Sequence, residues 1–291
     1  MEKISERAYA KLNLSLDVLS KRSDGYHDMR MVMQTVSLYD ELTISPRRDG
    51  SITVRSNLHY LPCDQRNIAY KAARAFFAAL GRSDLGADIT IKKHIPVCAG
   101  TGGGSADGAA VLRGLNTLCG RPFTFSQLED IGLSCGSDIP FCIGGGTALA
   151  EGRGEKLTDI GCIPPCHIVL CKPRVSISTP KLFERIDAAT VKFRPDTTGI
   201  IRSIQEGNLR AMCTRMYNVF EDVLPKSCSE VPVLKSLLLE AGALGAIMTG
   251  TGSAVFGVFQ SLQSAEAARA ALSSKCPEVF LCTPVEKQNL Q

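Results

Sequence analysis

Ile95-Pro-Val-Cys-Ala-Gly-Thr-Gly-Gly-Gly-Ser-Ala-Asp-Gly-Ala-Ala-Val-Leu112 is the stretch on which the reading of this chain turns. An apolar, strand-like run carrying Ile89, Ile91 and Ile95 stops at Pro96. A glycine cluster follows, and Ser105 then opens a helical pattern with Val111, Leu112, Leu115 and Leu118 along one side. Gly100, Gly102, Gly103 and Gly104 carry no Cβ, so their backbone N–H groups stay open to a ligand. The positive end of the following helix dipole points to the same place, which suits a phosphate. A flexible loop ahead of a core helix would have the same composition. Four glycines at a helix start are costly to order, however, and that favours a ligand that holds them.

Spacing excludes two phosphate loops. A Walker-type loop needs Lys-Ser or Lys-Thr after its last glycine, and here Gly104 is followed by Ser105 and Ala106. A dinucleotide fingerprint counted from Gly100 meets Ser105 where a small glycine or alanine belongs, and one counted from Gly102 meets Asp107. What the stretch does resemble is the nucleotide loop of the GHMP small-molecule kinases, Pro-x-x-x-Gly-Leu-Gly-Gly-Gly-Ser-Ser. Pro96, Gly100, Gly102, Gly103, Gly104 and Ser105 match it. Thr101 stands in place of leucine, Ala106 in place of the second serine, and Gly108 interrupts the Asp-Ala-Ala that would come next.

Residues 8–18 alternate, with Ala8, Ala10, Leu12, Leu14, Leu16 and Val18 on one face and Tyr9, Lys11, Asn13, Ser15 and Asp17 on the other. The pattern predicts a half-buried strand with a solvated polar face. Ser23-Asp24-Gly25 is a turn that would present Tyr26 and His27 at a loop edge. These two stretches narrow the resemblance to the GHMP branch that serves non-mevalonate isoprenoid synthesis. Its first strand reads Ala-Lys-x-Asn-x-x-Leu, as in Ala10-Lys-Leu-Asn-Leu-Ser-Leu16, and its hallmark Arg-x-Asp-Gly-Tyr-His is Arg22-Ser-Asp-Gly-Tyr-His27 here. Gly136-Ser-Asp-Ile-Pro140 is similar to the family's Gly-Ala-Asp-Val-Pro, and Asn218-Val-Phe-Glu221 to its Asn-x-Phe-Glu. Without that context Asp138 reads as a helix cap.

Strands are predicted over residues 36–44 and 51–55 with Arg48-Asp49-Gly50 as their turn, and Asn67 caps a helix that ends at Gly81. Ser126-Gln-Leu-Glu129 reads as a capping box. Residues 158–166, with Gly161, Pro164 and Pro165, form the expected boundary. Beyond it a strand at 167–171, helices around 180–187, 200–206, 208–222 and 231–241, strands at 245–249 and 254–259, a helix at 264–274 and a strand at 279–283 give a ferredoxin-like order. Met248-Thr-Gly-Thr-Gly-Ser-Ala-Val-Phe256 is a second glycine loop, which without the resemblance would be a hairpin turn.

The resemblance implies an α+β GHMP kinase fold, with a ribosomal-S5-like N-terminal domain over residues 1–160 and a ferredoxin-like C-terminal domain over 161–291. It implies transfer of the γ-phosphate of ATP, with Mg²⁺, to the 2-hydroxyl of a cytidyl-diphosphate methylerythritol. Asp138 would be the base and Lys11 the cation that orients it. Asn67, Pro96, Gly100, Thr101, Gly102, Gly103, Gly104 and Ser105 would bind ATP. Asn13, Tyr26, His27, Phe183, Gly250 and Gly252 would surround the second substrate. A homoserine or mevalonate kinase would share the glycine loops but has no need of Tyr26-His27, and a non-catalytic sugar or nucleotide binder would lack the lysine–aspartate pair.

Composition narrows the partners. Net charge is only +4 and no long basic run occurs, so nucleic acid is not expected. The first residues, Met1-Glu-Lys-Ile-Ser-Glu-Arg7, lack the apolar core of a signal peptide, and no apolar run approaches the roughly 20 residues that span a membrane. The twelve cysteines form no C-x-x-C pair, and several lie in apolar runs (Cys142, Cys171, Cys282). Most read as reduced, buried small hydrophobes of a cytoplasmic protein, without a metal-ligand set, since Cys162, Cys166 and His167 have no second pair. A small-molecule partner and a monomer or weak homodimer are expected.

Overall fold

The computed structural model describes residues 3–287. In chain order the elements are β1 (Ile4–Lys21), β2 (His27–Arg47), β3 (Ile52–Ser56), α1 (Ile68–Leu80), β4 (Gly86–Lys92), α2 (Gly103–Leu118), α3 (Phe125–Leu133), α4 (Ile139–Gly144), β5 (Thr147–Gly152), β6 (Lys156–Asp159) and β7 (His167–Lys172). Then come α5 (Thr179–Asp187), α6 (Thr197–Gln205), α7 (Leu209–Cys213), β8 (Tyr217–Asn218), α8 (Glu230–Glu240), β9 (Gly245–Met248), β10 (Val255–Phe259), α9 (Leu262–Ser273) and β11 (Glu278–Cys282). Among the described residues no helix is long and apolar enough to cross a membrane.

The first sheet runs β3-β4-β2-β1-β8, with β5 on β2 and β6 on β5. β2 is long enough to serve three strands: it runs along β1, pairs with β4 through residues 41–47 and with β5 through residues 29–34. The predicted strand 36–44 is only the middle of it. The turn at Arg48-Asp49-Gly50 does not make a hairpin either, because β4 inserts between β2 and β3 and pairs parallel with β3. α2 lies against β1 and α1, with Val111, Leu112 and Leu115 in the core. It starts at Gly103 rather than Ser105, and its N-cap, Gly102, is left-handed (φ 69°), a conformation that glycine adopts without penalty.

β1 differs from its sequence reading in one respect that matters for function. Lys11, Asn13, Ser15 and Asp17 are buried along with the apolar face, so the polar face is not solvated. The second half of the chain covers it: β8 pairs parallel to β1 at Ser15 and Leu16, and the Asn13 N–H donates to the Thr249 hydroxyl at 3.1 Å. Sequence alternation reports polarity, and polarity does not tell water from a lined cleft. Leaving a buried polar group unpaired costs about 1–3 kcal/mol. Lys11 donates to Asn13 and Asp17 takes Arg194, while the Ser15 hydroxyl has no partner among the described residues.

The second sheet, β11-β7-β10-β9, is antiparallel throughout, the ferredoxin-like order. The helix expected over 208–222 is broken into α7, β8 and a 3₁₀ turn (Val219–Val223). Two asparagines restart the chain: Asn208 caps α7 through the Ala211 N–H, and Asn218 caps the 3₁₀ turn through the Phe220 N–H. The capping box of α3 is also shifted, to Thr124 with Gln127, because the box belongs to the residue whose backbone is still extended (Thr124, ψ 168°). The chain passes from the first sheet to the second between β6 and β7, yet residues return: Pro284 bridges Val36 and the Val285 N–H donates to the Thr35 carbonyl. Six of the twelve cysteines are buried, three are partly buried, and Cys63, Cys98 and Cys162 are exposed, so burial accounts for half of them rather than most.

Candidate active site

The two glycine loops cross each other. Gly100 has φ 78°, and a Cβ there would lie 2.1 Å from the Thr249 carbonyl oxygen, so only glycine allows the approach. The Thr249 hydroxyl donates to the Gly100 carbonyl at 3.3 Å, and the Ala254 N–H donates to that of Ala99 at 3.1 Å. Asn218 fixes the second loop from behind by donating to the carbonyls of Met248 and Gly250, and Glu221 accepts the Met248 N–H. The Asn-x-Phe-Glu motif is thus a clamp on that loop. Gly103, Gly104 and Ser105 occupy the first turn of α2, where N–H groups have no partner inside the helix. That leaves donors and the positive dipole end for an anion.

Lys11 joins this loop to Asp138. Its backbone N–H donates to the Thr101 carbonyl at 3.0 Å, its stem runs beneath Gly102, and its ammonium lies 2.8 Å from Asn13 Oδ1 and 3.4 Å from Asp138 Oδ2. Asp138 stands at the N-cap position of α4, but its side chain makes no cap hydrogen bond. The reading of Asp138 as a simple cap therefore fails. Its side chain is 31% exposed while that of Lys11 is 6% exposed, so the carboxylate faces the open side and the cation the protein. A sealed or half-sealed ion pair adds little stability over an apolar pair. Its presence here calls for another explanation than stability.

At the far end, Tyr26 and His27 part company. Tyr26 is 53% exposed, with the Arg153 guanidinium 4.8 Å above its ring. His27 begins β2 pointing inward and is buried, because consecutive residues entering a strand face opposite ways. Its ring stacks on Phe183 (centroids 4.5 Å, 26°), and Phe183 meets Phe220 edge-on at 5.0 Å. The expected exposed pair is thus one exposed ring and one buried ring. His27 Nε2 lies 2.7 Å from Asp187 Oδ1, and Lys21 Nζ lies 2.7 Å from Asp187 Oδ2.

A cavity of about 600 Å³ links these parts, with Gly100, Gly102 and Ser105 at one end, Lys11 and Asp138 between, and Tyr26, His27 and Phe183 at the other. Gly250 also lines it. Other expected residues stand behind the wall. Asn13 is fully buried beneath Lys11, with its amide on Met31 Sδ. Thr101 contributes its carbonyl to Lys11, and Gly252 faces Met248 and Ile177. Pro96 is buried in the turn before the glycines. Gly103 packs on Ile95, and Gly104 on Ile68. The Asn67 side chain is committed to capping, with Oδ1 on the Ala69 N–H and Nδ2 on the Pro62 carbonyl.

Sequence reading missed a network under the glycine loop. Lys93 Nζ lies 2.8 Å from Asp107 Oδ2 and also pairs with Asp40, whose other oxygen accepts the His94 and Ile95 N–H groups. Burial pushes Asp107 up to about 8, and its Oδ1 has no partner among the described residues. Burial pulls Lys93 down, but the carboxylates of Asp107 and Asp40 outweigh it and leave the ammonium above its ordinary value. Thr249, Lys21 and Asp187 were missed as well. Thr249 lay inside the quoted second loop, and Asp187 lies one helical turn after Phe183 on α5, where i and i+4 share a face.

The fold and the crossed loops define a class. Family profiles described as GHMP kinases N terminal domain and GHMP kinases C terminal match residues 67–146 and 200–278. The chain belongs to the GHMP kinases. More particularly, it is 43% identical over 282 residues to the 4-diphosphocytidyl-2-C-methyl-D-erythritol kinase of Caldicellulosiruptor saccharolyticus, covering 97% of each chain. It is 43% identical over 281 residues to the protein of that name from Acetivibrio thermocellus, covering 97% of this chain and 99% of the relative. A crystal structure of 4-(cytidine 5'-diphospho)-2C-methyl-D-erythritol kinase superposes with TM-score 0.80 and 28% identity over 97% of this chain and 99% of the other. Homoserine kinase from Cytophaga hutchinsonii (TM-score 0.76, 16% identity, 99% and 96% covered) shares the fold.

Proposed function

We propose that this chain transfers the γ-phosphate of ATP to the 2-hydroxyl of 4-diphosphocytidyl-2-C-methyl-D-erythritol, a step in isoprenoid precursor synthesis. The observation that carries the reading is the placement of Lys11 and Asp138 midway along a cavity that has a glycine loop at one end and aromatic rings at the other. Phosphoryl transfer needs positioning and charge stabilisation more than covalent chemistry. The first turn of α2 holds the phosphates through backbone N–H groups. Asp138 takes the hydroxyl proton, and Lys11, itself held by Asn13, keeps the carboxylate aimed at it. Tyr26, His27 and Phe183 receive the cytosine.

Magnesium suits the residues present. At the glycine-loop end the cavity wall offers the Ser105 hydroxyl oxygen, and no group of three His, Cys, Asp or Glu that could hold a metal ion occurs among the described residues. Mg²⁺ accepts such a sparse set when substrate phosphates and water complete its shell. Bound there, it would offset charge on the phosphate oxygens.

ADP release tests the assignment directly, with the cytidyl substrate, homoserine, mevalonate and galactose as acceptors. The cytidyl compound should be preferred by a wide margin. Good turnover of homoserine or mevalonate with none of the cytidyl compound would leave only the general kinase.

A further inference from the structure

We propose that Asp187 fixes the tautomer of His27, and that this makes the aromatic end of the cavity accept a 4-amino pyrimidine and reject a 4-oxo one. The inference deepens the proposed function and rests on its reading that this end receives the base.

Asp187 closes α5 one turn beyond Phe183, and its two oxygens have separate tasks. Oδ2 holds Lys21 at 2.7 Å and Oδ1 meets His27 Nε2 at 2.7 Å. The Lys21 ammonium, and after it the His27 ring, hold the Asp187 carboxyl below its ordinary value. An ionised carboxylate only accepts hydrogen bonds, so His27 Nε2 must carry the hydrogen. In the neutral imidazole the other nitrogen, Nδ1, is then a bare acceptor, since the bond made by one nitrogen sets the state of the other. His27 Nδ1 has no hydrogen-bond partner among the described residues and is not among the sealed, unpartnered atoms, and His27 lines the cavity. A flipped ring would lose the bond to Asp187, and stacking on Phe183 holds the ring plane.

An acceptor facing the cavity pairs with a donor. Cytosine presents its exocyclic amine at position 4, whereas a uracil-type base presents a carbonyl oxygen there. Against Nδ1 the amine makes a hydrogen bond and the oxygen leaves two acceptors facing each other. Stacking accepts either base because both have a π-face. Selection therefore falls to the hydrogen bond, and Asp187 gives it its direction. Asp187 is a positioning residue, acting through His27.

The test compares wild type with Asp187→Asn. The amide can donate to Nε2, which moves the ring hydrogen to Nδ1 and turns the acceptor into a donor. The cytidyl-to-uridyl ratio of kcat/KM should fall about 10- to 100-fold, the range for losing one base-reading contact, with KM for ATP unchanged. Nitrogen-15 NMR of the histidines should show the His27 hydrogen on Nε2 in wild type and displaced in the variant. Asp187→Ala, at the exposed end of α5, gives a second variant in which the ratio should also fall. If either folded variant loses affinity for the cytidyl substrate equally with its uridyl analogue, and the His27 tautomer is unaltered, Asp187 merely buttresses α5 and the proposal is overturned while the site reading stands. If wild type binds CDP without perturbing His27 and ignores the difference between the two bases, the site reading itself is overturned.

Discussion

Lys11 Nζ lies 3.4 Å from Asp138 Oδ2, and the same lysine donates its backbone N–H to Thr101 in the glycine loop. One residue thus ties the glycine loop, proposed to hold the phosphates, to the carboxylate proposed to take a proton. The lysine has little freedom of its own: Asn13 holds its ammonium and Gly102 sits on its stem. A shift of either glycine loop would be felt at Asp138, which is the coupling a phosphoryl transfer depends on.

Asp138→Asn removes the proton acceptor and keeps the shape. Turnover should fall by at least about 10²-fold, the lower range for a positioned base. ATP affinity by calorimetry should change little, because the phosphate cradle does not include this carboxylate. A variant that keeps most of its turnover would make Asp138 only the start of α4.

Gly102→Ala should act through Lys11. Gly102 has φ 69°, and a Cβ there would lie 2.8 Å from Lys11 Cγ. The left-handed conformation costs alanine about 1–2 kcal/mol, and the lysine stem must also move. Gly81→Ala is the matching control, since Gly81 has the same φ of 69° with nothing within 4 Å of a Cβ. Gly102→Ala should lose at least as much thermal stability as Gly81→Ala, but only Gly102→Ala should lose turnover, by about 10-fold or more. Equal turnover in the two would show that Lys11 needs no exact placement.

The glycine loops were legible from local sequence, as glycines before a helix. The Lys11–Asp138 pair came only from the resemblance to the family's motifs, since alone Lys11 reads as solvated and Asp138 as a cap. The site's depth was not. Alternation along residues 8–18 separated polar from apolar correctly, but only the tertiary cover from β8 and Thr249 decides that the polar face is a cleft wall. Tyr26 and His27 looked like a pair, and the strand's first residue split them. Asp107 drew notice only as a residue that breaks a dinucleotide fingerprint. Its partners Asp40 and Lys93 come from other strands and turns, and no spacing rule joins them.

Tyr26→Ala and Phe183→Ala probe the aromatic end separately. Stacking contributes roughly 1–3 kcal/mol per base, so each loss should raise KM for the cytidyl substrate about 5- to 150-fold and leave KM for ATP nearly unchanged. Phe183→Ala should have the larger effect, because Phe183 also holds the His27 ring. His27→Ala should in addition narrow the gap between cytidyl and uridyl compounds. An unchanged KM in all three would place the base elsewhere.

Asp107 offers a stability test with a definite sign. Burial raises it to about 8 in the folded protein, from an ordinary value of 3.8. The folded state therefore holds a proton that the unfolded chain releases, so this contribution is complete below about pH 4 and is lost as pH rises toward 8. Asp107→Asn keeps a neutral group of the same shape and has no proton to lose. Wild type and variant should be closest in Tm at pH 4 or below, and from there to pH 9 the variant should become the more stable by at least about 2–4 °C, the shift that 1 kcal/mol gives in a chain of this size. Lys93→Met should instead cost about 3–5 kcal/mol at neutral pH, because Asp40 is left buried without its cation. Lys93 Nζ lies 3.3 Å from where a Gly103 Cβ would stand, so this variant should weaken ATP binding as well. A stability gap between wild type and Asp107→Asn that stays constant from pH 5 to pH 9 would mean that Asp107 is ionised throughout, with Lys93 shared equally between two carboxylates.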